Sequence, residues 1–271
     1  MALQIFERIE KKFMLTREQF ERLKPILDDH MSPDKFTDYT ICNIYFDTDN
    51  FQLIRNSIEK PKYKEKLRLR SYGVPTDDQE VFLELKKKYK GIVYKRRIAM
   101  KMSEARRYLY EGKTPEIKND FATRQIFREI DYAKNFYGLK PKAFIAYDRV
   151  ALHGNEDSEL RVTFDNSIRA REKDLELTSG DQGEHLISDS QVLMEVKIPG
   201  AMPVWMAEAF AELNINMVSF SKYGTYYKQH FAEATGYEAK IIAMKQLNAL
   251  ELRRKSEEES RELALPRRAM A

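Results

Sequence analysis

The stretch KEKLRLRSYG, residues 64–73, sets Lys64, Lys66, Arg68 and Arg70 at alternate positions, with Leu67 and Leu69 between them and Tyr72 closing the run. Side chains alternate faces along a strand, so this spacing predicts a β-strand with its leucines on one face and its cations on the other. Like charges repel, and for a single strand an exposed face screened by water would account for the pattern. The pattern is not confined to this strand. RIEKKF supplies Arg8, Glu10 and Lys12; FLELKKK supplies Glu84, Lys86 and Lys88; YKRR supplies Lys95 and Arg97. In the second half AYDR supplies Tyr147 and Arg149, LRVTFD supplies Arg161, Thr163 and Asp165, and LMEVK supplies Glu195 and Lys197.

Counted from Lys66 in the first run, these faces carry 12 bases and 4 acids, whereas the rest of the chain carries 35 bases and 39 acids. Two architectures accommodate such strands. An open sheet would rest its apolar face on a core and leave its charged face in water, and acids and bases would then be expected to mix so as to lower cross-strand repulsion. Eight strands can instead close into a barrel whose charged faces point inward and whose apolar faces pack outward against helices. An interior of that kind is unfavourable when empty and implies water, metal and a polyanion inside. Arginine offers a planar fork and lysine a point charge to phosphate oxygens, so a linear phosphate chain suits it. The spacing alone leaves both architectures open.

The eight strand candidates lie within 4–13, 38–47, 64–73, 81–88, 91–100 and three later runs, KAFIAYDRVAL, ELRVTFDNSI and QVLMEVKI, the last ended by Pro199 and Gly200. A helix is expected after Thr16, where Gln19 completes a capping-box pattern, and Tyr89 and Lys90 are expected to join a hairpin. Residues 103–138 read as helical, as do 205–213 and the stretch from Tyr223 onward, and the final stretch reads as a charged helix fading into a tail. The expected division is 1–235 for the barrel domain and 236–271 for the charged helix and tail.

At 271 residues, with 33% charged residues and a net charge of only +4, the chain is not a polycation, so any basic site is local. The single cysteine, Cys42, forms no intramolecular disulfide and supplies no cysteine-based metal site, and it is expected in the core. No run of 18 apolar residues occurs, and a soluble, cytoplasmic protein is expected. His30, His153, His185 and His230 share no metal-ligand spacing, no glycine-rich phosphate loop is present, and Trp205 reads as a helix residue packed on the sheet.

Taken in order, RIEKKF, YFDT (45–48), KLRLRSYG, FLELKKK, YKRR, YDR, LRVTFD, LMEVKIPG and SFSKYG (219–224) resemble the VTC-type polyphosphate polymerase domains of the triphosphate tunnel metalloenzyme (CYTH-like) superfamily. The resemblance covers about residues 5–230; no single motif is diagnostic, and the ordered set is specific. It implies an α+β fold, an eight-stranded antiparallel tunnel barrel with a charged interior flanked by helices. The implied activity is transfer of the γ-phosphate of ATP to a growing inorganic polyphosphate chain, with release of ADP. Carried over by position, Lys12, Arg68, Arg70, Lys86, Lys95, Arg149, Arg161 and Lys222 would be the catalytic residues that grip nucleotide or chain, with Arg8, Lys66, Lys88, Arg97 and Lys197 as further phosphate ligands. Glu195, with Glu10, would hold Mn²⁺ or Mg²⁺. ATP, triphosphate and polyphosphate are the implied partners, and neither nucleic acid nor a membrane segment is expected.

Two departures bear on this. The superfamily's amino-terminal signature is often Glu-x-Glu-x-Lys, whereas this chain has Arg8, Glu10 and Lys12, leaving fewer acids for a second metal. Ser219 stands where some eukaryotic polymerases carry a further lysine. Two rival functions share most of these features. A barrel that admits water would be a tripolyphosphatase or nucleoside triphosphatase, and a non-catalytic module would bind polyphosphate or nucleic acid without turnover.

Overall fold

Each run of alternating residues forms a strand, and each turns its apolar side chains to the same side of one antiparallel sheet. The computed structural model describes residues 9–35, 38–59, 61–90, 92–117 and 120–231. Two compact units divide the chain, Met1–Tyr226 and Tyr227–Ala271, and the sheet lies in the first. In chain order the elements are β1 (Ile9–Thr16), α1 (Arg17–His30), β2 (Met31–Pro33), β3 (Tyr39–Asp47), α2 (Gln52–Ile58), β4 (Tyr63–Tyr72), β5 (Glu80–Tyr89) and β6 (Ile92–Lys101). There follow α3 (Met102–Leu109), α4 (Phe121–Tyr137), β7 (Lys140–Gly154), β8 (Arg161–Arg171), a 3₁₀ turn (Leu177–Ser179), β9 (Glu184–His185), β10 (Gln191–Ile198), α5 (Val204–Glu212) and α6 (Lys222–Phe231). The fold is mixed α+β, as expected. The expected boundary at 235, the charged helix of 236–271 and Arg8 lie outside the described residues.

Eight strands run in the order β1-β10-β8-β7-β3-β4-β5-β6, with β2 added to β7 and β9 to β8. Strands β1 and β6 are the two ends, and among the described residues no backbone pairing joins them, so the ladder is open where a closed barrel was expected. Across the charged face, Glu10 and Lys12 on β1 act electrostatically on Lys86 of β5.

The apolar side is covered by helices in two clusters. Leu67, Leu69, Leu83, Leu85, Ile98 and Phe144 pack with Met102, Ala105, Tyr108 and Leu109 of α3 and with Ile130 and Ala133 of α4. Phe13, Leu15, Val162, Phe164, Met194 and Val196 pack with Leu23 and Leu27 of α1 and with Met206, Ala209 and Phe210 of α5. Burial of each large side chain stabilises the fold by roughly 1.5–3 kcal/mol, which fixes the apolar face outward toward the helices and leaves the other face to the charges. Cys42 is fully buried in the first cluster, and burial pushes its thiol up to about 12. Trp205 packs beside the second and stacks on His30 at 4.2 Å.

Local signals set several boundaries. The Thr16 hydroxyl accepts from the Gln19 amide and the Gln19 side chain accepts from the Thr16 amide, completing the capping box of α1. The helical run expected over 103–138 divides into α3 and α4. Gly112 adopts a φ of 71° and Pro115 has no amide hydrogen, and Asp120 starts a new helix by accepting from the Thr123 amide at 2.8 Å. No helix among the described residues is long and apolar enough to cross a membrane.

Candidate functional site

Alternation on β1, β7, β8 and β10 brings one set of charges to the inner face. The pairings Lys12↔Glu195, Arg149↔Asp165 and Glu195↔Thr163 put these residues side by side. Arg149 donates through Nε and Nη2 to the two oxygens of Asp165 at 2.6 and 2.7 Å, and through Nη2 to Glu195 Oε2 at 3.3 Å. Lys12 Nζ donates to Glu195 Oε1 at 2.8 Å and lies 3.5 Å from Glu10 Oε1. Lys222, at the start of α6, reaches both Asp165 and Glu195. Burial alone would raise the Glu195 carboxyl, but Lys222, Lys12 and Arg149 hold it well below the usual range. Burial would lower the Lys222 ammonium, and Asp165 and Glu195 raise it instead.

A second set surrounds Glu84 on β5, whose side chain is 2% exposed. Arg68 Nη2 stands 2.7 Å from its Oε2, and Lys95 Nζ and Arg97 Nε stand 2.8 and 3.0 Å from its Oε1. Burial raises the Glu84 carboxyl, but Arg68, Arg70 and Lys95 overcome it and bring it down to about 2. Tyrosine and asparagine side chains of the adjoining strands orient the arginines. Arg68 Nη1 donates to the Tyr45 hydroxyl at 3.3 Å, and Arg70 donates to Asn43 Oδ1 at 3.0 Å and to the Tyr147 hydroxyl at 3.2 Å. The Lys222 ammonium lies 4.3 Å from the Tyr147 ring centre and the Arg149 guanidinium 5.1 Å from it. Burial would raise the Tyr147 phenol, and Arg70, Arg149 and Lys222 lower it.

A third set gathers lysines on β4, β5 and β10. Lys66 and Lys86 are directly paired across β4 and β5, and Lys64 and Lys88 form the next such pair. Lys66, Lys86 and Lys197 make no ion pair among the described residues. Burial lowers all three ammonium groups; around Lys66 only cations add to it and bring it to about 7, whereas at Lys86 and Lys197 Glu10 and Glu195 oppose the shift. The segment before α6 crosses from the first set toward the third: Lys66 Nζ donates to Ser221 Oγ at 3.1 Å while Lys222 holds Asp165. Tyr223 stacks on Tyr45 at 4.7 Å, and its hydroxyl donates to Asp47, which also accepts from the amides of Leu53 and Ile54.

Lys12, Arg68, Arg70, Lys86, Lys95, Arg149 and Lys222, with Lys66, Arg97, Lys197, Glu10 and Glu195, thus share one face. Exposed Lys88 continues that face along the β5–β6 hairpin. Arg161 is set apart, its guanidinium held by Asp34 at 2.9 Å at the rim. Glu84 and Asp165 occupy the same alternate positions as the bases, and the spacing alone gives them no role at the site. Their importance comes from cross-strand neighbours, as does that of Asn43, Tyr45 and Tyr147.

The described residues contain no group of three or more His, Cys, Asp or Glu able to hold a metal alone. What they offer is an all-oxygen set: Glu195, Glu10 and the buried Thr163 hydroxyl, which has no hydrogen-bond partner and sits on the residue paired with Glu195. Mg²⁺ and similar hard cations are commonly bound through one or two carboxylates together with substrate phosphates, and this set fits that manner of binding.

A family model described as VTC domain matches residues 7–231, and the chain belongs to the VTC domain family. No curated protein matches it. Among solved structures it is similar to a Bacillus halodurans protein proposed to be an adenylate cyclase, at 18% identity and a TM-score of 0.49, over 83% of this chain and 97% of that one. It is also similar to a Hippeastrum protein proposed to be an adenylyl cyclase and described with a dominant triphosphatase activity, at 14% identity and a TM-score of 0.47, over 82% and 96% of the two chains. Similarity at these levels carries no activity from those proteins to this one.

Proposed function

We propose that the sheet curls into a tunnel that binds ATP and a polyphosphate chain, and that the protein transfers the γ-phosphate of ATP onto the chain end. The observation that carries this reading is the direct pairing of Lys66 with Lys86, neither in an ion pair among the described residues, beside the arginines gathered around Glu84. A face on which cations outnumber acids calls for an anion, and the linear row of alternate positions suits a phosphate chain. Membership of the VTC domain family supports the same substrate class.

In the proposed reaction a terminal oxygen of the chain attacks the γ-phosphorus, a new P–O bond forms, and the bond from that phosphorus to the β-phosphate oxygen breaks. ADP leaves with the electron pair. Chain ends are ionised near neutral pH, so no strong general base is needed. Arg68 and Arg70, held in place by Tyr45, Asn43 and Tyr147, present fixed forks to equatorial oxygens, while Lys12, Lys95, Arg149 and Lys222 supply positive potential where negative charge accumulates. Glu195 and Glu10, with the Thr163 hydroxyl, would hold Mn²⁺ or Mg²⁺. Such an ion supplies charge neutralisation at bridging phosphate oxygens.

Incubating the protein with ATP and Mn²⁺ and separating the products by chain length tests the assignment. A ladder of polyphosphates is expected. Orthophosphate and ADP alone would make the protein a triphosphatase, and metal-independent binding without turnover would make it a polyanion-binding module.

A further inference from the structure

Building on the reading above, we infer that Lys66 takes up a proton when a phosphate chain fills the interior, so that binding of this polyanion is linked to pH. The geometry begins with the charges around Lys66. From its own strand Lys64 and Arg68 face it, from β5 the directly paired Lys86, and from β1 Lys12. The nearby carboxylates are engaged elsewhere. Asp47 on β3 accepts from the amides at the start of α2 and from Tyr223, and Glu84 is held by Arg68, Lys95 and Arg97. Glu195 accepts from Lys12, Lys222 and Arg149, and Glu10 lies near Lys12. Among the described residues the Lys66 nitrogen donates to the Ser221 hydroxyl at 3.1 Å, which also accepts from the Gly224 amide at 3.2 Å.

That contact serves both protonation states. A hydroxyl oxygen accepts from an ammonium, and its own hydrogen can be given to a neutral amine. Burial and the four surrounding cations bring Lys66 to about 7, so near neutrality the empty interior holds it partly as the amine. A chain of phosphate anions laid along β4 and β5 reverses the sign of the local potential and favours the ammonium. The sign of the linkage follows. Below pH 7 the proton is already present; above it, binding must supply one, and affinity for the chain falls as pH rises, at most about tenfold per pH unit.

The test is calorimetric titration of the full chain with tripolyphosphate at pH 8, without divalent metal, in two buffers of different ionisation enthalpy. The ligand's last ionisation falls near this pH and contributes to wild type and variant alike, so the difference in proton uptake between them reports on Lys66. In Lys66→Arg the guanidinium stays charged and takes up no proton. The wild type is expected to take up nearly one proton more than Lys66→Arg. Equal uptake by the two proteins would overturn the inference while leaving phosphate binding intact. Failure of tripolyphosphate to bind in either buffer would overturn the proposed function, and this inference with it.

Discussion

Lys12 reaches across from β1 to Glu195 on β10 at 2.8 Å, and the same carboxylate oxygen accepts from Lys222 at 3.3 Å. The ammonium of Lys12 thus sits between Glu195 and Glu10, the two carboxylates proposed to hold a metal.

Glu195→Gln separates a metal ligand from a simple counter-ion. It keeps the size and removes the charge that a hard cation needs, so the Mn²⁺ concentration giving half-maximal turnover at saturating ATP should rise about tenfold or more. An unshifted midpoint with altered triphosphate affinity would make Glu195 a counter-ion only.

Glu84→Gln should destabilise the empty protein by about 3–5 kcal/mol in denaturant titration, because a nearly buried carboxylate is removed from among three cations held within 3.0 Å. Tripolyphosphate should restore much of the loss by supplying the missing negative charge. The acid limb follows the same residue. Since its folded-state value is depressed to about 2, its contribution is present above the ordinary carboxylate range and is lost as pH falls toward 2. The variant should therefore show a shallower fall in stability on acidification than the wild type.

Arg70→Ala removes a guanidinium oriented by Asn43 and Tyr147. Charged hydrogen bonds are worth about 1.5–3 kcal/mol, so tripolyphosphate affinity should fall roughly ten- to a hundredfold. Thermal unfolding of the empty variant should stay near that of the wild type, because relief of like-charge crowding offsets the lost contacts. Full affinity in Arg70→Ala or Arg68→Ala would return residues 64–73 to the status of a solvated strand.

Lys66 also marks the stability of the empty protein. With its folded-state value lowered to about 7, the unfolded chain holds more protons between pH 7 and roughly 10, so stability from this group rises with pH over that window. Lys66→Met should flatten the rise in denaturant midpoints. A wild-type midpoint that does not change from pH 7 to 10 would contradict the crowding of cations around it.

The strand alternation made most of this architecture legible. Leu67 and Leu69 against Arg68 and Arg70 read directly as two faces, and Thr16 with Gln19 read as the start of α1. What was hidden depends on partners distant in sequence. Helix α2 starts at Phe51 in a left-handed conformation and has its first amides satisfied by Asp47, an arrangement no local spacing announces. Asp165 and Glu84 gain their roles from residues on neighbouring strands. Arg161 has the right alternate position, but Asp34 draws it to the rim. That β1 and β6 do not pair among the described residues, leaving the ladder open, is likewise nothing alternation encodes.

The most direct measurement follows the label from ATP carrying a radioactive γ-phosphate, incubated with the protein, Mn²⁺ and unlabelled polyphosphate. Polymer-bound label appearing in step with ADP, and abolished in Arg68→Ala and Arg70→Ala, is the result predicted. Label recovered wholly as orthophosphate, or remaining in ATP, would contradict transfer to a chain.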